Sequence, residues 1–432
     1  MKFIESSKEL ELLTSGEVIV CGGGPAGIAA AVSAARKGVR TVLLESAGCL
    51  GGIWTSGLLS YILGDCKQHG LVTEIKDRFA SFIEPDARLP KSLPSPEKVK
   101  LYLEELCLGA GVELLYNSKV CGTLMTDKFI QAVCVETPAG RRAVSGDVFI
   151  DCTGNGDVGF HAGCGFDVGS ETDGSVQPMS MLAIIGGIKA DECIDYVNGS
   201  EEAYQKLGNL IRGCGIEPSY SRSSIIRISD DIFMFAGNHQ YGVRADDPHG
   251  VTRATVEARH EIHSQINALR SLGGIWKEIK LVATSSQIGI RDGRRLHGLY
   301  KLELDDLTSG RCFDDAVCKV RFGVDVHALT PDSNRGLTSV SRENPVQPYD
   351  IPMRALISRD CDNLMMAGRC ISGSFYARAS YRVTGIAIPC GEAAGNHAAQ
   401  CCITKSTVKS EMINYNNLIK ENWYEQDKRK IS

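Results

Sequence analysis

Residues 18–45 restrict this chain more than any other stretch. An apolar run, Val18-Ile19-Val20-Cys21, leads into Gly22-Gly23-Gly24-Pro25-Ala26-Gly27, and a small-residue segment from Ile28 to Lys37 follows. A second apolar run, Thr41-Val42-Leu43-Leu44, ends on Glu45. A strand, a glycine turn, a helix and a strand closing on an acid form the βαβ unit that holds a dinucleotide. Each residue type has a physical task there. Gly22 permits the turn out of the strand, Gly24 lets the backbone approach a pyrophosphate, and Gly27 lets the helix pack hard on the sheet. The helix N-terminus offers free N–H groups and a positive dipole end to phosphates. Glu45 accepts hydrogen bonds from a ribose diol and repels a 2′-phosphate.

Composition removes several alternatives. The chain has 432 residues, a net charge of −5 and 6% aromatic residues, without a basic block. That disfavours a nucleic-acid surface or a stacking platform for single strands. No apolar run reaches transmembrane length, and Met1 to Glu9 lacks the apolar centre of a signal peptide; a cytoplasmic protein without membrane insertion is expected. The 17 cysteines include no CxxC pair, so they read as small buried hydrophobes of a reducing compartment. No metal site is expected. His260 and His263 share a helical face with Glu257 and Glu261 but lack a third ligand, and Thr252 to Leu272 reads as a helix with a solvated face.

Along the chain, residues 1–16 read as a polar extension. Residues 17–165 form the first part of a nucleotide-binding domain. Within it, Ser95 to Gly109 has helical periodicity, Val120 to Val144 reads as a β-meander, and Asp147 to Cys152 as a buried strand. Residues 166–340 read as an inserted substrate domain of mixed strands and helices. Residues 341–403 return to the first domain, through the buried strand Asn363–Arg369 and the small-residue helix Val383–Cys401. Residues 404–432 read as a polar tail. A second GxGxxG, Gly154 to Gly159, lacks the helix and acid-terminated strand that a second nucleotide site needs. Thr153 and Gly154 instead bring the chain back to the first site. Gly52 allows another close backbone approach, and Thr55 can donate to a phosphate or a ring carbonyl.

The stretches Val18–Glu45, Leu50–Gly57, Phe149–Gly165, Gly289–Tyr300 and Ile351–Gly395, in this order, resemble the FAD-dependent oxidoreductases of the glutathione-reductase-like flavoprotein superfamily. The resemblance implies an α/β fold: a Rossmann-like FAD-binding domain with parallel sheet and β-meander, plus the inserted domain. It implies non-covalent FAD, with Gly22, Gly24, Gly27 and Glu45 on the ADP half and the backbone of Val120 at the adenine. It places Gly368 and Arg369 near the pyrophosphate and ribityl chain. The N-terminus of the Val383 helix, with Gly385 permitting close approach, would face the flavin and stabilise its reduced, negatively charged form.

Candidate substrate residues are less legible. Arg378, near Tyr376 and Arg382, can clamp a carboxylate bidentately, or pair with a structural Asp or the FAD phosphates. Among Arg291, Arg294 and Arg295, the first reads as a substrate contact and the others as ion-pair formers. His239 and His327 are candidate general bases, against the commoner structural histidine. The reading is a hydride transfer between flavin N5 and a small oxygenated, carboxylate-bearing substrate. The alternatives are an electron-transfer subunit docking on an iron–sulfur partner, or a redox-neutral isomerase or hydratase with structural FAD. A separate electron carrier and a homo-oligomer stay open as partners; Arg378, Arg291, Tyr376 and His239 are the candidate catalytic residues.

Overall fold

Apolar runs bounded by glycines become the central strands. The computed structural model describes residue 3 and residues 9–64, 70–86, 89, 92–197, 199–333 and 343–412. A five-stranded sheet runs Leu364–Met366, Val148–Asp151, Val18–Cys21, Thr41–Leu44, Glu113–Leu115. Every pair in it is parallel. Continuous apolar strands fit this sheet because both of its faces are covered; the central ones are buried at every position.

The helix Pro25–Arg36 begins at the glycine turn, with Pro25 in its first turn where a missing N–H costs nothing. It packs against the long helix Thr384–Thr404. A Cβ on Gly391 would overlap the carbonyl of Ala26, and one on Gly395 that of Ala30. Ser33 Oγ donates to the Glu392 carbonyl at 3.2 Å. The small residues of both helices therefore bring two backbones into contact.

The expected meander forms as Lys119–Thr126, Phe129–Thr137 and Gly140–Ser145, paired antiparallel. The supposed polar extension differs: Leu12–Ser15 is a strand that pairs in parallel with Gly140–Ser145. Two neighbouring apolar residues and a threonine suffice where an edge is open to receive them.

A separate antiparallel sheet runs Ser224–Arg227, Ile232–Ala236, Leu182–Gly186, Lys280–Thr284. Its own core draws on Met179 to Ile288 and on Leu89. Leu296, Leu302, Val320 and Val326 instead join the first core, so the last stretch of the expected insertion packs with the nucleotide-binding part. The helix Pro248–Ser271 is not solvated all round. Ala254, Ala258, Ile262, Ile266 and Leu269 are buried, while His260 and His263 are exposed. Residues 413–432 of the expected tail lie outside the described residues. No helix among the described residues is long and apolar enough to cross a membrane.

Candidate active site

The carboxyl ends of the parallel strands open on one cleft of about 520 Å³. This is where open α/β sheets bind ligands. Gly22, Gly24 and Glu45 border it at one end; Val120, Thr153, Gly154, Gly52, Gly368 and Arg369 continue the wall. Segments distant in sequence thus meet as the motifs require.

Gly22 has φ +103°, and a Cβ there would run into the backbone of Cys152, just past the adjoining strand. Gly27 does not border the cleft; a Cβ on it would overlap the Gly22 carbonyl, so its task is the tight turn-to-helix packing. Over Gly24 a Cβ would meet no protein atom within 4 Å. The backbone there faces open cleft beside the N-terminus of the helix Pro25–Arg36, which suits a pyrophosphate. Glu45 accepts from the Gly23 N–H and the Ala47 N–H at 2.7 Å each. Its carboxylate therefore ties the turn to the second strand while facing the cleft.

Thr153 Oγ1 donates to Asp151 at 2.7 Å and accepts from the Asp157 N–H at 2.9 Å. Asp151 is fully buried and also accepts from the Gly159 N–H. Burial pushes its pKa up to about 6, against the lowering effect of these bonds. One acid ending an apolar strand carries no pattern of its own, so Asp151 gives no signal in the sequence. Arg369 donates to the Ile290 carbonyl, and its guanidinium lies against Gly154. Burial lowers its pKa; like any arginine it carries its charge, and it borders the cleft. A cation there and the helix N-terminus together match a pyrophosphate dianion.

Two expected contacts turn inward. The Thr55 hydroxyl donates to the Leu50 carbonyl, and the residue is buried away from the cleft wall. Gly385 gives its N–H to the Leu63 carbonyl at 2.7 Å, and a Cβ there would strike the Gly64 carbonyl. The close approach at Gly385 is thus to the segment 61–64 that crosses the helix start. Val383 and Thr384 are the residues of that helix start that border the cleft.

At the other end lie Arg291, Arg382, Asp325 and Ser180, with Ile53, Leu59, Leu182 and Ile288 as apolar wall. Arg291 donates from Nη1 to the Pro178 carbonyl at 2.5 Å and to Ser180 Oγ at 2.9 Å. Burial and the nearby Arg382 lower its pKa to about 10, so it remains charged at neutral pH. Behind it, His239 stacks on Tyr220 with ring centroids 4.1 Å apart and meets His327 edge-on at 5.1 Å. Burial and then Arg291 hold both imidazoles neutral, His239 far below the usual range and His327 at about 4. His327 Nε2 lies 3.6 Å from Asp325. Gln177, Ser180 and Tyr220 belong to this cluster, and isolated polar residues in a long mixed segment gave no sequence signal for them.

Arg378 and Tyr376 are placed elsewhere. Arg378 is fully buried and forms an ion pair with Asp292; its Nε donates to the Arg369 carbonyl at 3.2 Å. It does not border the cleft, because its helix, Phe375–Tyr381, turns it toward Asp292. The pairing with a structural Asp, one of the two readings of this arginine, is the contact present. Tyr376 packs edge-on against Phe375 and also lies away from the cleft. Arg294 and Arg295 pair with Asp157 and Glu171, each at 3.0 Å.

Comparison with known proteins bears on this arrangement. The sequence model described as FAD dependent oxidoreductase matches residues 17–421. No curated protein matches the sequence significantly. Among solved structures, a geranylgeranyl bacteriochlorophyll reductase-like protein from Thermoplasma acidophilum is 14% identical, with TM-score 0.46, over 95% of this chain and 84% of that one. The flavin-dependent brominase Bmp2 is 11% identical, with TM-score 0.46, over 93% and 83%. The p-nitrophenol 4-monooxygenase PnpA from Pseudomonas putida DLL-E4 is 12% identical, with TM-score 0.44, over 93% and 84%. With a family match across nearly the whole chain, and glycine turn, acid and returning strands on one cleft, this protein belongs to the FAD-dependent oxidoreductase family.

Proposed function

We propose that the protein moves a hydride between a small oxygenated, carboxylate-bearing substrate and flavin N5, as a dehydrogenase or reductase. The observation that carries this is the continuity of the cleft. It runs from the Gly22–Glu45 turn, past Arg369, to Arg291 and the apolar residues beside it. FAD supplies a two-electron acceptor or donor at N5 when bound. The chain's own groups do the rest. Glu45 accepts from a ribose, and the turn and Arg369 offset the pyrophosphate charge. Arg291 orients a substrate carboxylate, while Ile53, Leu59, Leu182 and Ile288 keep water from the reacting carbon. The helix beginning at Thr384 directs its positive end toward the same region.

We take the parts contributing to the first core as the FAD-binding unit and those around the sheet of Leu182–Gly186 as the substrate-facing unit. The described cysteines are free, which supports a reducing, cytoplasmic location.

The test is anaerobic mixing of the purified yellow protein with small organic acids and polyols. Bleaching of the flavin absorbance by a carboxylate-bearing compound is expected. Turnover with the flavin oxidised throughout would replace the reading by a redox-neutral one. Protein that stays colourless after reconstitution with FAD would end it.

A further inference from the structure

The substrate end of the cleft holds an excess of positive charge and of donors. Two guanidiniums, Arg291 and Arg382, border it with one carboxylate, Asp325. Arg382 Nη2 donates to the Asp325 carbonyl at 2.8 Å, to its Oδ2 at 3.2 Å and to Gln177 Oε1 at 3.2 Å. Arg291 meets a carbonyl and a hydroxyl, and among the described residues no carboxylate lies within ion-pair distance of it. The imidazoles behind are neutral at pH 7. The cluster therefore carries a formal charge of one positive unit.

Its hydrogen bonding is also incomplete. Arg382 Nε and Gln177 Nε2 are buried without a partner. Gln177 is 1% exposed. Its amide cannot turn round to mend this, because Oε1 already accepts from the His327 N–H at 3.1 Å and from Arg382. A buried donor without an acceptor costs about 1–3 kcal/mol, so Arg382, which borders the cleft, asks for an acceptor from outside. Arg369 and the helix N-terminus have their anion in the pyrophosphate; this cluster is a second, separate demand.

We propose that Arg291 and Arg382, which both border the cleft, form a subsite for one carboxylate, with Gln177 behind them holding Arg382, so that the cleft takes a monocarboxylate with an apolar body. Asp325 is the internal counter-ion that limits the ligand to one negative charge. A neutral analogue leaves the donors facing a weaker acceptor, and a second carboxylate would leave the cluster net negative among buried groups. The apolar body lies along Ile53, Leu59 and Ile288. What then happens to the ligand rests on the flavoenzyme reading above; its binding does not.

The experiment is calorimetric titration of the FAD-loaded protein with acetate, benzoate, benzamide and terephthalate, with flavin content measured separately by absorbance. Benzoate is expected to bind at least ten-fold more tightly than benzamide or terephthalate, and acetate to bind measurably. Arg382→Met and Arg291→Met should each weaken benzoate binding ten-fold or more, with Arg382→Lys intermediate. Asp325→Asn should tighten it, a gain that neither misfolding nor a merely structural ion pair produces. Equal binding of benzoate and benzamide, no binding of acetate or benzoate, or weaker binding by the Asp325 variant would overturn the subsite. Carboxylate binding by protein that takes up no flavin would leave the subsite standing and remove the flavoenzyme reading instead.

Discussion

Glu45 does two things with one carboxylate: it faces the cleft and it clamps the glycine turn through Gly23 and Ala47. Glu45→Arg removes both and adds a cation. FAD affinity should fall about 100-fold, roughly 3 kcal/mol, read by flavin fluorescence titration; unchanged affinity would take Glu45 off the ribose. Asp151 makes a pH prediction. Its folded pKa of about 6 lies above its ordinary 3.8 because burial outweighs its hydrogen bonds. Between these values the folded state holds more protons than the unfolded state, so this group's contribution falls as pH rises from about 4 to about 6. The loss amounts to about 3 kcal/mol. Denaturant unfolding of wild type and Asp151→Asn at pH 4 and pH 7 should show the variant relatively more stable at pH 7; a constant difference would refute the shift. At this scale the sequence was readable where backbone geometry dictated the residue, as at Gly22 and Gly27. It was opaque for Thr55, Arg378 and Gln177, whose side-chain directions depend on partners far along the chain.

Between elements, the decisive contact is that of Pro25–Arg36 with Thr384–Thr404. Their alanines and glycines were legible as helices, but not as partners, because periodicity carries no information about what covers a face. Gly391→Val should clash with the Ala26 backbone and cost about 3 kcal/mol or more. It should also lower flavin retention, since the N-terminus of the first helix borders the cleft. Normal stability in denaturant would show that the helices can separate freely. The Arg378–Asp292 pair ties the helix Phe375–Tyr381 to the segment beside Arg291. Arg378→Ala leaves a buried carboxylate without its cation, a loss of about 3–5 kcal/mol. Asp292→Asn added to it should restore part of that stability in a double-mutant cycle. Full stability of the single variant would make the pair dispensable.

For the whole molecule, the parallel sheet, the meander and the returning strand were readable from chain order, since each is a local apolar run with turn residues at its ends. The division between the two cores was not. The segment after Arg295 looks like the insertion in composition but packs with the first core. Ligand linkage belongs to this scale. FAD at 100 times its dissociation constant should stabilise the folded protein by about 2.7 kcal/mol, seen as a higher melting temperature; an unmoved transition would contradict binding at the cleft.

One edge of the parallel sheet is Leu364–Met366, and the helix that covers Pro25–Arg36 begins only at Thr384. A ribosome making this chain releases the glycine turn long before either arrives. Until then the nascent chain carries Val148–Asp151 as an unprotected edge and an alanine face open to water. Truncation anywhere before the last helix should therefore yield aggregated protein without flavin rather than a smaller working protein, read by sedimentation and flavin absorbance.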